Sequence, residues 1–167
     1  MGEREELEVA SMAAKGQGIF DLAELYQNMK SWLDYNGFGD QTKSFREEKY
    51  VERQQGDVKQ LEIRWKAEKF INSYVSWVIG ISFFVVGLKK VEIEKEGKKI
   101  GINKGSIVIK FKASVVLNRQ GKWGDFLKYV YDKFIIRERI SETQGDLYGK
   151  IYSLYNEVKN YLDMNSS

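Results

Sequence analysis

The stretch YVSWVIGISFFVVGL, Tyr74 to Leu88, decides how this chain folds. It is shorter than the ~20 residues a membrane-spanning helix needs. It is also rich in β-branched and aromatic side chains, which suit a strand. At period two, Val75, Trp77, Ile79, Ile81, Phe83 and Val85 form one wholly apolar face. Tyr74, Ser76, Val78, Gly80, Ser82, Phe84, Val86 and Leu88 form the other, which is apolar or small and carries no charge. Both faces therefore need cover, and three kinds remain open: a helix, a second subunit or a ligand.

The flanking segments keep the same period with one wet face. Before the stretch, Leu61, Ile63, Trp65 and Ala67 alternate with Glu62, Arg64, Lys66 and Glu68; after it, Ile107, Ile109, Phe111, Ala113, Val115 and Leu117 oppose Lys110, Lys112 and Ser114. Phe45–Val51 is a weaker, highly charged strand, joined by the turn Gln54–Asp57. Val91–Lys95 and Lys99–Ile102 flank a tight turn at Glu96-Gly97-Lys98. Short connections between such strands predict an antiparallel meander of about five strands.

Helical periodicity brackets the meander. Asp21 and Glu24 form a capping-box-like pair ahead of Leu22, Leu25, Tyr26, Met29, Trp32 and Leu33, with Gly37 as the stop. Phe126, Val130 and Phe134 recur at i, i+4, i+8, and a last helix from around Glu142 to Asp163 shows Leu147, Ile151, Leu154, Val158 and Leu162. The expectation is an α+β fold: an N-terminal helix, the meander, and two C-terminal helices packed on one sheet face. Residues 1–18 lack periodicity and are expected to be a disordered tail, 19–163 a single domain, and 164–167 a second tail.

Composition excludes more than it selects. The 167 residues contain no histidine, cysteine or proline. A Ser-His-Asp triad, a Cys-His dyad, thiolate or imidazole zinc sites and disulfides are thereby ruled out. No cofactor or metal site is called for. The absence of cysteine agrees with a reducing cytoplasm. The net charge is +3; residues 1–10 carry −3, which leaves +6 on the remainder. That is well short of the dense basic stripe of a nucleic-acid binder.

Among motifs, Glu94-x-Glu96-x-Lys98 resembles the signature of the triphosphate tunnel enzymes, whose alternating strand carboxylates hold a metal and, through it, a polyphosphate. Its mid-chain position astride a turn fits a solvated hairpin edge better. Lys89, Lys90, Lys95, Lys98, Lys99 and Lys104, with Lys110 and Lys112, offer a basic patch, diluted by Glu92, Glu94 and Glu96. Lys98, Lys99, Arg137 and Arg139 are the candidate anion-binding residues. Trp77, Phe83, Phe84 and Val86 are the candidate anchors of a binding surface, because buried aromatics dominate such energetics.

The runs KQLEIRWKAEKFINSYV (59–75), GLKKVEIEKEGKKIGINKGSIVIKFKA (87–113), GKWGDF (121–126) and YDKFIIRERI (131–140) resemble a family of small archaeal proteins with no assigned activity. The resemblance spans roughly residues 20 to 163. It implies a single cytoplasmic α+β domain of archaeal origin and carries no catalytic residues. In that family the long strand more often alternates polar with apolar residues, a pattern from which this chain departs. The sequence thus points to a non-catalytic binding or assembly module with a protein partner or self-association. The alternatives are a carrier of an apolar ligand held between sheet and helices, or a metal-dependent phosphohydrolase of triphosphate-tunnel type. The charge argues against nucleic acid, and no transmembrane segment is expected.

Overall fold

The computed structural model of the chain describes residues 3–39, 45–71, 75–119 and 137–165. Its elements run β1 (Glu3–Phe20), α1 (Leu22–Tyr35), β2 (Phe45–Gln55), β3 (Val58–Phe70), β4 (Val75–Lys95), β5 (Lys98–Arg119) and α2 (Arg137–Asn165). The strands form one antiparallel sheet in the order β1-β5-β4-β3-β2. Val75–Leu88 thus forms most of the central strand, and the architecture is α+β.

Three details differ from expectation. First, the expected tail over 1–18 is a strand: β1 pairs with β5 from Glu3↔Arg119 to Phe20↔Asn103, with a bulge between Glu8 and Ala10. One inward position, Gly16, is held without a side chain by α2. A Cβ at Gly16 would stand 3.0 Å from Leu162 Cδ2, closer than side chains normally approach. Accordingly α1 is the second element, not the first.

Second, the two hairpin segments expected as separate strands continue their neighbours. Val91–Lys95 is the end of β4 and Lys99–Ile102 the start of β5, giving strands of 21 and 22 residues. Gly87 makes the continuation possible. At φ +68 it takes up the extra residue where the register shifts between Val86 and Lys89, so the strand bulges instead of ending. Third, among the described residues one helix follows the sheet, starting at Arg137 and not near Glu142. The helix expected around Phe126–Phe134 lies outside the described residues.

The helix signals act as their chemistry predicts. Asp21 Oδ1 accepts the Glu24 N–H at 3.0 Å, and the Leu22 N–H donates to Asn103 Oδ1 of β5 at 3.2 Å. Gly37, at φ +87, lies just beyond the end of α1. Leu25, Met29 and Leu33 of α1 are buried, as are Leu147, Ile151, Leu154, Val158 and Leu162 of α2. They pack on the sheet face formed by Leu61, Ile63, Trp65, Ile81, Phe83, Ile109 and Phe111.

Two tyrosines fasten the helices. Tyr161 of α2 donates to Glu24 Oε2 at 3.0 Å and lies 3.2 Å from the Asp21 carbonyl oxygen at the start of α1. Tyr26 of α1 donates to Glu47 Oε1 at 2.7 Å, an oxygen that also accepts the Trp65 indole N–H. Burial, reinforced by the Glu47 carboxylate, pushes the Tyr26 phenol up to about 12; burial and Glu24 raise Tyr161 as well. The folded state therefore keeps protons that the unfolded chain releases near pH 10. The stability they contribute is complete below that pH and drains as pH rises through the raised values. The urea midpoint is expected to fall as pH rises above 10, and to fall less steeply in the Tyr26→Phe/Tyr161→Phe variant. Identical slopes in the two proteins would assign the alkaline loss to other groups.

Candidate functional site

Alternation along β4 divides the sequence-predicted anchors between two environments. Trp77 and Phe83 face the helices: the Trp77 indole N–H donates to Thr143 Oγ1 at 2.8 Å, and Phe83 is 0% exposed. Phe84 and Val86 face the other way, Phe84 half-buried and Val86 56% exposed. The four do not form one surface. Both described helices lie on the Phe83 side, and among the described residues no helix covers the opposite side, termed the open face. It grades from buried Ser76, Val78, Ser114 and Val116 at one end to exposed Val86 towards the other.

The middle of that open face is built from register. Gly80 pairs with Lys66 on β3 and Lys112 on β5; two residues on, Ser82 pairs with Arg64 and Lys110. Beyond β3, Arg46 pairs with Lys66 and Lys49 with Arg64. Each of these rows carries three cations around a small central residue. The result is a recess of about 340 Å³ floored by Val78, Gly80, Ser82 and Ser114 and walled by Arg64, Lys66, Lys110 and Lys112. Glu6 and Glu48 also border it. Gly80 leaves room there: a Cβ would meet only the Trp65 carbonyl oxygen, at 4.0 Å. One row further along, Phe84 pairs with Glu62 and Val108, and the Lys110 ammonium rests 5.7 Å above the Phe84 ring.

The cations differ in how they are satisfied. Lys49 pairs with Glu62 at 2.9 Å, and Arg64 approaches the same carboxylate at 3.9 Å. Lys66 and Lys112 have no ion-pair partner among the described residues. Both are exposed. Two like charges held across Gly80 favour an anion between them.

The other anion candidates do not converge. Lys98 and Lys99 sit exposed at the tip of the β4–β5 hairpin and project to opposite faces. Arg137 and Arg139 lie in the first turn of α2. That helix passes Trp77 through Thr143, near the end of β4 remote from the hairpin tip. Glu96 (φ +54) and Gly97 (φ +77) make the two-residue turn, and Glu94 pairs with Lys99. Among the described residues the sheet is open, with β1 and β2 as its edges, and Glu94 and Glu96 are exposed near its hairpin tip. Among the described residues no cluster of three or more acidic groups is arranged to hold a metal ion, and no helix is long and apolar enough to cross a membrane.

A second recess, about 490 Å³, opens between α1 and α2, lined by Leu25, Met29, Trp32, Leu154, Val158 and Tyr161 among others. Between sheet and helices, aromatic rings pack on one another. Trp65 contacts Phe83 and Tyr26 at 4.8 Å each and Phe45 at 5.3 Å between centroids, and Phe111 meets Tyr155 at 6.2 Å.

Sequence reasoning missed the Gly80–Ser82 recess as a unit. Arg64, Lys66, Lys110 and Lys112 were legible as wet faces of separate strands, and Gly80 and Ser82 as the uncharged face of a third. The signal that unites them is the pair Gly80-x-Ser82 between two strands whose outer faces are basic. The chain matches no protein-family model, and no curated protein matches it.

Proposed function

We propose that the chain is a non-catalytic binding or assembly module of the cytoplasm, acting through the open face of its sheet. The observation that carries this reading is the uncharged open side of β4, with its recess at Gly80 and Ser82 and half-buried Phe84 beyond. A central strand with only a solvated outer face would gain nothing from that composition. The lack of histidine and cysteine in the whole sequence supports a binding role over catalysis. A second reading keeps the carrier of an apolar ligand but places that ligand in the recess between α1 and α2 instead of between sheet and helices.

Native mass spectrometry of protein purified without denaturant tests both. A mass above the monomer that disappears in Phe84→Asp, while the circular dichroism spectrum is retained, is the expected result. Val86→Asp, at a more exposed position, repeats the test if Phe84→Asp unfolds. Association unchanged in the folded variants would overturn the open-face reading. An added mass of a few hundred daltons lost only on Leu154→Asp would favour the carrier.

A further inference from the structure

We infer that the recess over Gly80 and Ser82 binds the sugar–phosphate backbone of a single-stranded nucleic acid, an inference that rests on the open-face reading above and names its occupant. Counting charge along the sequence spreads the basic residues thinly. Strand register gathers Lys66 and Lys112 across Gly80, and Arg64 and Lys110 across Ser82.

The dimensions follow from sheet geometry. Two strand spacings put the flanking backbones roughly 10 Å apart, and successive same-face positions follow at about 7 Å along each strand. A phosphate over Gly80 is thus within reach of Lys66 and Lys112, and the next phosphate within reach of Arg64 and Lys110. Glycine and serine on the floor leave room for the backbone to settle between the walls. A recess of this width admits one strand, whereas a duplex would rest on its rim.

Phe84 separates nucleic acid from other polyanions. It lies on the same face, one position beyond Ser82, and Lys110 covers its ring at 5.7 Å. A phosphate drawing Lys110 towards the recess uncovers the ring for a base to stack on, and such stacking tolerates any base. Phe84 is half-buried in the sheet face, which suits a base laid flat on the ring better than insertion of the ring into a bilayer. Glu6 and Glu48, bordering the recess, confine the backbone to the line between the cationic walls.

The test is fluorescence anisotropy with a labelled oligothymidylate of about twelve nucleotides, titrated at several salt concentrations. Single-strand contacts contribute about −0.7 each to the slope of log affinity against log salt. Lys66→Gln/Lys112→Gln is expected to flatten that slope by about 1.4. Phe84→Leu is expected to weaken binding on the order of tenfold with the slope unchanged, the signature of lost stacking. Gly80→Val fills the recess at a position where a side chain meets little. It is expected to weaken binding at least tenfold without lowering the melting temperature.

Binding that survives both the Lys66→Gln/Lys112→Gln and Gly80→Val changes would overturn the inference, as would binding lost only in Lys98→Gln/Lys99→Gln. So would capture by phosphatidylserine vesicles with none by the oligonucleotide. If the oligonucleotide fails to bind while Phe84→Asp still abolishes the added mass, the occupant is wrong and the open-face reading stands. If neither responds, both fall.

Discussion

Removal of residues 1–18 is expected to abolish cooperative folding, because β1 is the edge strand on which α2 rests. Pairing to β5 runs nearly the whole length of both strands. Ala10 and Ala14 lie in the core, and Leu162 of α2 sits over Gly16. Without β1, the β5 backbone becomes an unpaired edge, and Leu162 loses the Gly16 surface it covers. A ladder of this length together with a helix-packing surface amounts to a large share of the ~5–15 kcal/mol by which domains are typically stable. Thermal and urea unfolding of the 19–167 chain, followed by circular dichroism, check this. A broad or absent transition, with aggregation through the exposed β5 edge, is expected. A sharp transition at the full-length midpoint would mean that β1 contributes nothing.

What was legible in the sequence depended on side chains that announce their burial. Leucines at 3.6-residue spacing marked α1 and α2, clean alternation marked β3 and β5, and a run rich in β-branched and aromatic residues marked β4. Parity along β4 already separated Trp77 and Phe83 from Phe84 and Val86. β1 was not legible because its inward face includes Ala10, Ala14 and Gly16, small residues of low strand propensity with glutamates alongside, and Gly16 lies against a helix. A glycine in a strand reads as an end until a partner shows it to be a bulge, which is why Gly87 divided one strand into two. The recess at Gly80 was beyond local reading for a different reason. Its walls come from three strands, and a one-residue slip of register would turn those side chains to the other face.

Phe83→Ala is expected to destabilise the protein by about 3–5 kcal/mol, and Phe84→Ala by about 1 kcal/mol, although the two are neighbours in sequence. Phe83 is fully buried, 4.8 Å from the Trp65 ring and 6.4 Å from Tyr26. Those rings cannot readily collapse into the space it leaves. Trp65 and Tyr26 are both tied to Glu47 Oε1, and moving either one breaks a hydrogen bond at a carboxylate that serves both. The cavity therefore persists, and the cost falls in the upper part of the range seen for large-to-small core changes. Phe84 has no such enclosure. Its ring lies beneath a lysine on the open face, and truncation there mainly exposes surface that water can wet. Urea denaturation of the two variants at neutral pH separates the cases, and for a chain of this size each kcal/mol corresponds to about 2–4 °C in melting temperature. Equal losses at the two positions would make the Phe84 face ordinary core and leave no surface there for a partner. A large loss at Phe83 alone keeps Phe84 available for binding, since a residue that contributes little to folding can be altered with the scaffold intact.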